Sequence, residues 1–231
     1  MNAATRSESN YDRILLNAGV TVKPINEART TRPDRELILH GQKVVAEWKE
    51  KIKGAFESNM IQSRTHFSFW GCEEGSQQIR PNGRVDWSGW AGHLAKAIQQ
   101  LKDASEDGLP TLAGLQSHSI KAELDPTSLF ILMYGHGARV NENRLIVSQN
   151  DCAGELPVAA GFADWPVLSA VGYLVGEKIS VYANCFARVP LDPAWFQYDC
   201  FGPVYIPGGN HNSPTWQEWR SGEMPIRGVV R

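Results

Sequence analysis

The chain has no excess of positive charge. Its 23 Lys and Arg stand against 25 Asp and Glu, for a formal net charge of −2. Without a basic stripe, the phosphate-neutralising attraction that dominates nucleic-acid affinity has no obvious source. No apolar run approaches the roughly 18 residues that a membrane-spanning helix needs, and Met1 to Asn10 lacks the apolar centre of a signal peptide. Cys72, Cys152, Cys185 and Cys200 are scattered, with no C-x-x-C pair, which argues against a metal ribbon or a thioredoxin-type site. Neither G-x-G-x-x-G nor G-x-x-x-x-G-K-[S/T] occurs, so a nucleotide-binding domain has no phosphate loop to rest on. These absences leave a cytoplasmic protein with reduced thiols, for which no nucleic-acid contact and no membrane association are expected.

What is present suits an ordinary folded protein: 231 residues, 42% hydrophobic and 21% charged. Residues 1–33 read as a polar N-terminal arm, and residues 34–231 as one domain. In residues 34–56, Leu37, Val44, Val45, Trp48 and Ile52 recur at helical spacing with Lys and Glu between them, which predicts an amphipathic helix capped by Asp34. Residues 65–72 read as a first strand, stopping at Glu73 and Glu74, with a polar loop through residues 81–83. Trp87, Trp90, Leu94, Ile98 and Leu101 predict a helix over residues 86–104.

Further on, Pro110 and Gly114 break the pattern. Residues 116–123 read as a short strand, 128–134 as the clearest strand in the chain, 144–148 as a short hairpin and 164–175 as a helix. Strands at 179–184 and 201–206 follow, then an irregular remainder. This alternation predicts an α/β sandwich with a mostly parallel sheet.

Two strand endings carry the chemistry in this reading. Gly135-His136-Gly137 closes the apolar run at 128–134, and Cys185 closes the run at 179–184. In one parallel sheet both would emerge at the carboxyl edge, where open α/β folds place their ligands. A thiol attacks as its thiolate, and a nearby imidazole both lowers the thiol pKa and protonates the leaving amine. His136 precedes Cys185 by about 50 residues, the interval of the caspase signature. His93 on the helix reads as packing, and Cys152 as a thiol with no base beside it.

The order of elements with His136 and Cys185 resembles the caspase-like cysteine peptidases, the group of caspases, metacaspases, legumains, clostripain and CHAT proteases. The resemblance implies a three-layer αβα sandwich, an endopeptidase acting on protein or peptide substrates, and an oxyanion hole from the N–H groups of Gly137 and Cys185. It implies no cofactor and no metal, with regulation by a protein partner, an effector or processing, and a place in bacterial defence. Glu73, Glu74, Asn184 and Asp199 fall where such a family builds its specificity pocket, and His211 lies in a loop near the edge. The acidic groups suit a basic side chain, while Arg80 and Arg84 would suit an acidic one. The alternative is an inactive caspase-like module that binds a partner protein.

Overall fold

The computed structural model describes residues 6–25, 33–51, 87–118, 126, 129, 132–133, 139–140, 146–148, 165–210 and 213–219. Tyr11, Ile14 and Leu15 lie three and four apart on helix α1 (Arg6–Asn17) and are buried together with Val20 in the core. Residues 6–25 are therefore no loose arm: α1 leads into strand β1 (Thr21–Pro24), which pairs antiparallel with β2 (Arg35–Leu39). Their apolar residues are worth more inside the core than in water, which outweighs the polar average that suggested a tail.

The helix predicted over residues 34–56 is instead a hairpin of β2 and β3 (Gln42–Lys51). Leu37 and Leu39 alternate with half-buried neighbours, and Val44, Ala46 and Trp48 join them from the other strand on one shared apolar face, while Val45 and Glu47 are buried on the opposite face. Spacings of seven, eight and eleven fit a helix and a hairpin equally well. His40 and Gly41, at φ 47° and 80°, decide between them by forming a tight turn with two left-handed residues.

Helix α2 (Trp87–Glu106) matches its prediction, burying Trp90, Leu94, Ala97, Ile98 and Leu101. It precedes β4 (Thr111–Ser117), which starts before Gly114 rather than after it. A minor antiparallel pair, β5 (Arg139–Val140) and β6 (Ile146–Ser148), overlaps the expected hairpin. The helix predicted over 164–175 is a 3-10 turn, Trp165–Val167, followed by β7 (Ala170–Val175), whose first five residues are buried because the strand lies inside the sheet. β8 (Lys178–Ala183) and β9 (Phe201–Asn210) fall where strands were expected, and β10 (Ser213–Glu218) occupies part of the supposedly irregular end.

The main sheet runs β1-β2-β3-β4-β7-β8-β9-β10. It is mixed rather than mostly parallel: β3 with β4, β4 with β7, and β8 with β9 are parallel, and the other neighbours are antiparallel. One face packs under α2 and the other under α1, so the class is α/β with helices on both faces. The run at 128–134 is not a strand where it is described. Pro126, Leu129, Leu132 and Met133 are helical, and the last three are buried against the α2 face; steps of three and four put them on one side of a helix. The strand expected at 65–72 and the loop at 81–83 lie outside the described residues. Among the described residues no helix is long and apolar enough to cross a membrane.

Candidate functional site

Along β3 the side chains alternate between the two faces. Val44, Ala46 and Trp48 join the α1-side core, while Val45 joins the α2-side core. Glu47 and Lys49 therefore point to the α2 face, and Lys49 Nζ donates to Gln100 Oε1 of α2 at 2.7 Å. Glu47 is buried, with 1% exposure. A charged side chain is almost never so enclosed unless it is paired.

The hairpin register brings a second carboxylate to Glu47. Arg35 pairs with Ala46, so Asp34, one residue before β2, comes level with Glu47. The Asp34 N–H donates to Glu47 Oε2 at 3.0 Å, and the Trp48 N–H donates to Asp34 Oδ2 at 2.9 Å. The residue expected to cap a helix is instead held across a hairpin. Lys49 Nζ also binds Glu47 Oε1 directly.

Burial, then the neighbouring Asp34 carboxylate, push Glu47 up to about 8, against the pull of the Lys49 ammonium. Burial raises Asp34 too, opposed chiefly by the Trp48 N–H. Glu47 is thus the carboxyl that holds a proton, and its hydrogen bond to Asp34, with Lys49 and Arg35 nearby, favours the Asp34 carboxylate. A divalent cation would take the place of that proton between the two carboxyl groups. Among the described residues there is no cluster of three or more His, Cys, Asp or Glu, but Mg²⁺ keeps several waters and commonly takes only one or two carboxylates plus substrate phosphates. Asp34 and Glu47 fit that donor set.

The dyad expected from the sequence is only half described. His136, Gly135 and Gly137 lie outside the described residues, as do Glu73, Glu74, Arg80, Arg84, Cys152 and His211. Cys185 follows β8 as expected and is 5% exposed. β8 runs antiparallel to β7, so Cys185 emerges where β4 and β7 begin, and the Asn184 N–H donates to Ser169 O at 2.9 Å. Asn184 is buried and serves the local turn: its Nδ2 donates to Leu168 O at 2.7 Å, and its Oδ1 accepts from the Phe186 N–H at 3.0 Å. With Ser169, Cys185, Leu191 and Trp219 it also lines a small pocket beside the thiol.

Asp199 is placed away from the thiol. It precedes β9 beside Lys178, at the start of β8, whereas Cys185 follows the end of that strand. A six-residue strand separates the two by about 20 Å. Cys200, also buried, has its thiol pushed up to about 11 by burial, which keeps it protonated and unreactive near neutral pH. His93 lies with its ring 6.0 Å from that of Trp90, in keeping with a packing role.

Sequence reasoning missed Asp34, Glu47 and Lys49 because it read Asp34 as a helix cap and the Lys and Glu residues between Leu37 and Ile52 as the polar side of that helix. The available signal was the His40-Gly41 turn. Once that makes a hairpin, Glu47 and Lys49 become charges on a strand with helices over both faces. No family model, no curated protein and no solved structure matches the chain.

Proposed function

We propose that the protein is a divalent-metal-dependent phosphodiester hydrolase acting on a nucleic-acid backbone, with Asp34 and Glu47 as metal ligands and Lys49 as the cationic group at the reacting phosphate. The observation that carries this reading is the enclosed Asp34–Glu47 pair with Lys49 two residues along the same strand face. An ion pair serving stability alone would match one carboxylate to one ammonium. Here a second carboxyl stands beside Asp34, where burial and that neighbour disfavour its ionised form. The expectation of a metal-free enzyme without nucleic-acid contact is replaced in this proposal, since a bound cation supplies positive charge that the composition does not.

When bound, a divalent cation polarises the phosphoryl oxygen and lowers the pKa of an attacking water. The chain's own groups do the rest. Asp34 is aimed by the Trp48 N–H, and Glu47 is fixed by the Asp34 N–H and by Lys49. Lys49, anchored by Gln100, presents its ammonium to a non-bridging phosphate oxygen and offsets charge in the transition state as a point charge. Water oxygen bonds to phosphorus as the phosphorus–oxygen bond to the leaving alcohol breaks.

The test is cleavage of plasmid and single-stranded DNA and of RNA with Mg²⁺ or Mn²⁺. Asp34→Asn, Glu47→Gln and Lys49→Ala should each lower kcat by roughly 100-fold or more, as loss of charge stabilisation does. Full activity in all three variants would refute the reading.

A second reading keeps the caspase-like cysteine endopeptidase, with Cys185 as nucleophile, His136 as general acid/base and the Gly137 and Cys185 N–H groups as oxyanion donors. One observation favours it: Met133 and Cys185 belong to the same buried cluster. His136 follows Met133 by three residues, a span of at most about 11 Å. Regulation by a partner and a role in bacterial defence attach to this reading, and an inactive partner-binding module is its non-enzymatic form. Both activities are proposed for the cytoplasm. Peptide-library cleavage that vanishes in Cys185→Ala and survives in Glu47→Gln would select the peptidase.

A further inference from the structure

We infer that the layer behind β3, made of Trp48, Tyr11 and Gly114, is a positioning device for the metal ligands; the inference rests on reading Asp34 and Glu47 as those ligands. Trp48 stands between Glu47 and Lys49 in the strand, and its own N–H holds Asp34 Oδ2 at 2.9 Å. One residue's backbone thus sets the placement of all three site groups. Its indole lies on the opposite face of the sheet, stacked on Tyr11 at 4.2 Å between ring centroids and 2° from parallel.

The indole is clamped from the other side as well. Trp48 and Gly114 are register partners on β3 and β4. A Cβ at Gly114 would lie 2.2 and 2.5 Å from two ring carbons of Trp48 and 3.0 Å from Tyr11 Cζ. The ring therefore lies on the bare backbone of β4, at the ladder position flanked by Glu47↔Ala113 and Lys49↔Leu115. Tyr11 is tied down in turn, its hydroxyl donating to Leu115 O at 2.8 Å and lying 3.3 Å from Gly172 O.

The clamp is retained at a cost. Among the described residues, Trp48 Nε1 is buried with no hydrogen-bond partner, a penalty that a Leu or Phe in this place would avoid. The shape of the indole is what remains to explain its presence. A flat ring between Tyr11 and β4 fixes the spacing and twist of the two parallel strands where the carboxylate and the lysine project.

Mn²⁺ affinity measured by calorimetry, together with kcat and KM on DNA, tests this. Gly114→Ala should weaken Mn²⁺ binding roughly tenfold, as loss of support behind metal ligands does, and lower kcat with little change in KM. Trp48→Phe added to Gly114→Ala makes room for the methyl and should restore much of the affinity. If Gly114→Ala fails to fold, Trp48→Leu removes the clamp without overpacking and should show the same loss.

A lower melting temperature with unchanged Mn²⁺ affinity and kcat in these variants would overturn the inference and leave the layer as packing only. Wild-type binding of Mn²⁺ that is lost in Asp34→Asn shows that the ligand assignment holds, so failure of the clamp is then separate from failure of the site. No Mn²⁺ uptake by the wild type would remove both.

Discussion

Glu47 is the residue on which the most chemistry converges, and its proton should have a measurable effect on folding. Its value in the folded chain, about 8, stands above its ordinary 4.5. Between those limits the native state holds a proton that the unfolded state has released, so stability of the metal-free protein falls as pH rises through the interval and then levels off. Urea midpoints of chelator-treated protein at about pH 5 and about pH 8 should differ in that direction, and Glu47→Gln should flatten the slope. Gln100 offers a second test at this scale. Its Oε1 holds Lys49 Nζ at 2.7 Å, so Gln100→Leu should lower kcat roughly tenfold in the wild type and have little further effect in Lys49→Ala, as expected of residues acting as one unit. Independent, additive losses in steady-state kinetics would count against the anchor.

Among the elements, the β2–β3 hairpin matters most, because it is what brings Asp34 to Glu47. Its turn needs Gly41 at φ 80°, so Gly41→Ala should cost about 1 kcal/mol in denaturant unfolding. The hairpin is also tied to α1: Arg35 donates from Nε to both oxygens of Asp12, at 3.0 and 2.9 Å, and from Nη2 at 2.8 Å. Both side chains are largely enclosed, at 14% and 24% exposure. Arg35→Ala should therefore destabilise the fold by about 2 kcal/mol in the same measurement.

Legibility from sequence also differed by element. α2 shows itself through an unbroken 3.6-residue period from Trp90 to Leu101, and β8 through Ile179, Val181 and Tyr182. The hairpin did not, because two strands joined by a two-residue turn imitate helical spacing when only apolar positions are counted. β7 and the helical residues Leu129, Leu132 and Met133 were exchanged for each other in kind. A segment buried nearly all round carries no amphipathic period, and only its neighbours in space decide between strand and helix. Of the site first expected, Cys185 stands after the predicted strand, but its neighbour β7 runs the other way, which no local pattern records.

At the scale of the whole molecule, one sheet takes in strands from Thr21 to Glu218, and the first helix is part of its packing. Tyr11, Ile14, Leu15 and Val20 are all at most 4% exposed. Removing residues 1–20 would uncover the α1-side core around Trp48 and Leu37. The truncated chain should lose its sharp thermal transition and bind an apolar dye, whereas an unchanged transition would show that α1 is dispensable.

The order of the strands has a last consequence, for inheritance rather than for energy. Asp34, Glu47, Lys49 and Gln100 all lie in the stretch before β4, while β7 to β10 extend the sheet on the far side of that strand. The proposed reaction is thus written in one contiguous passage of the gene. The later passage supplies the far half of the sheet and closes both cores over that stretch, touching it through Gly172 O beside the Tyr11 hydroxyl.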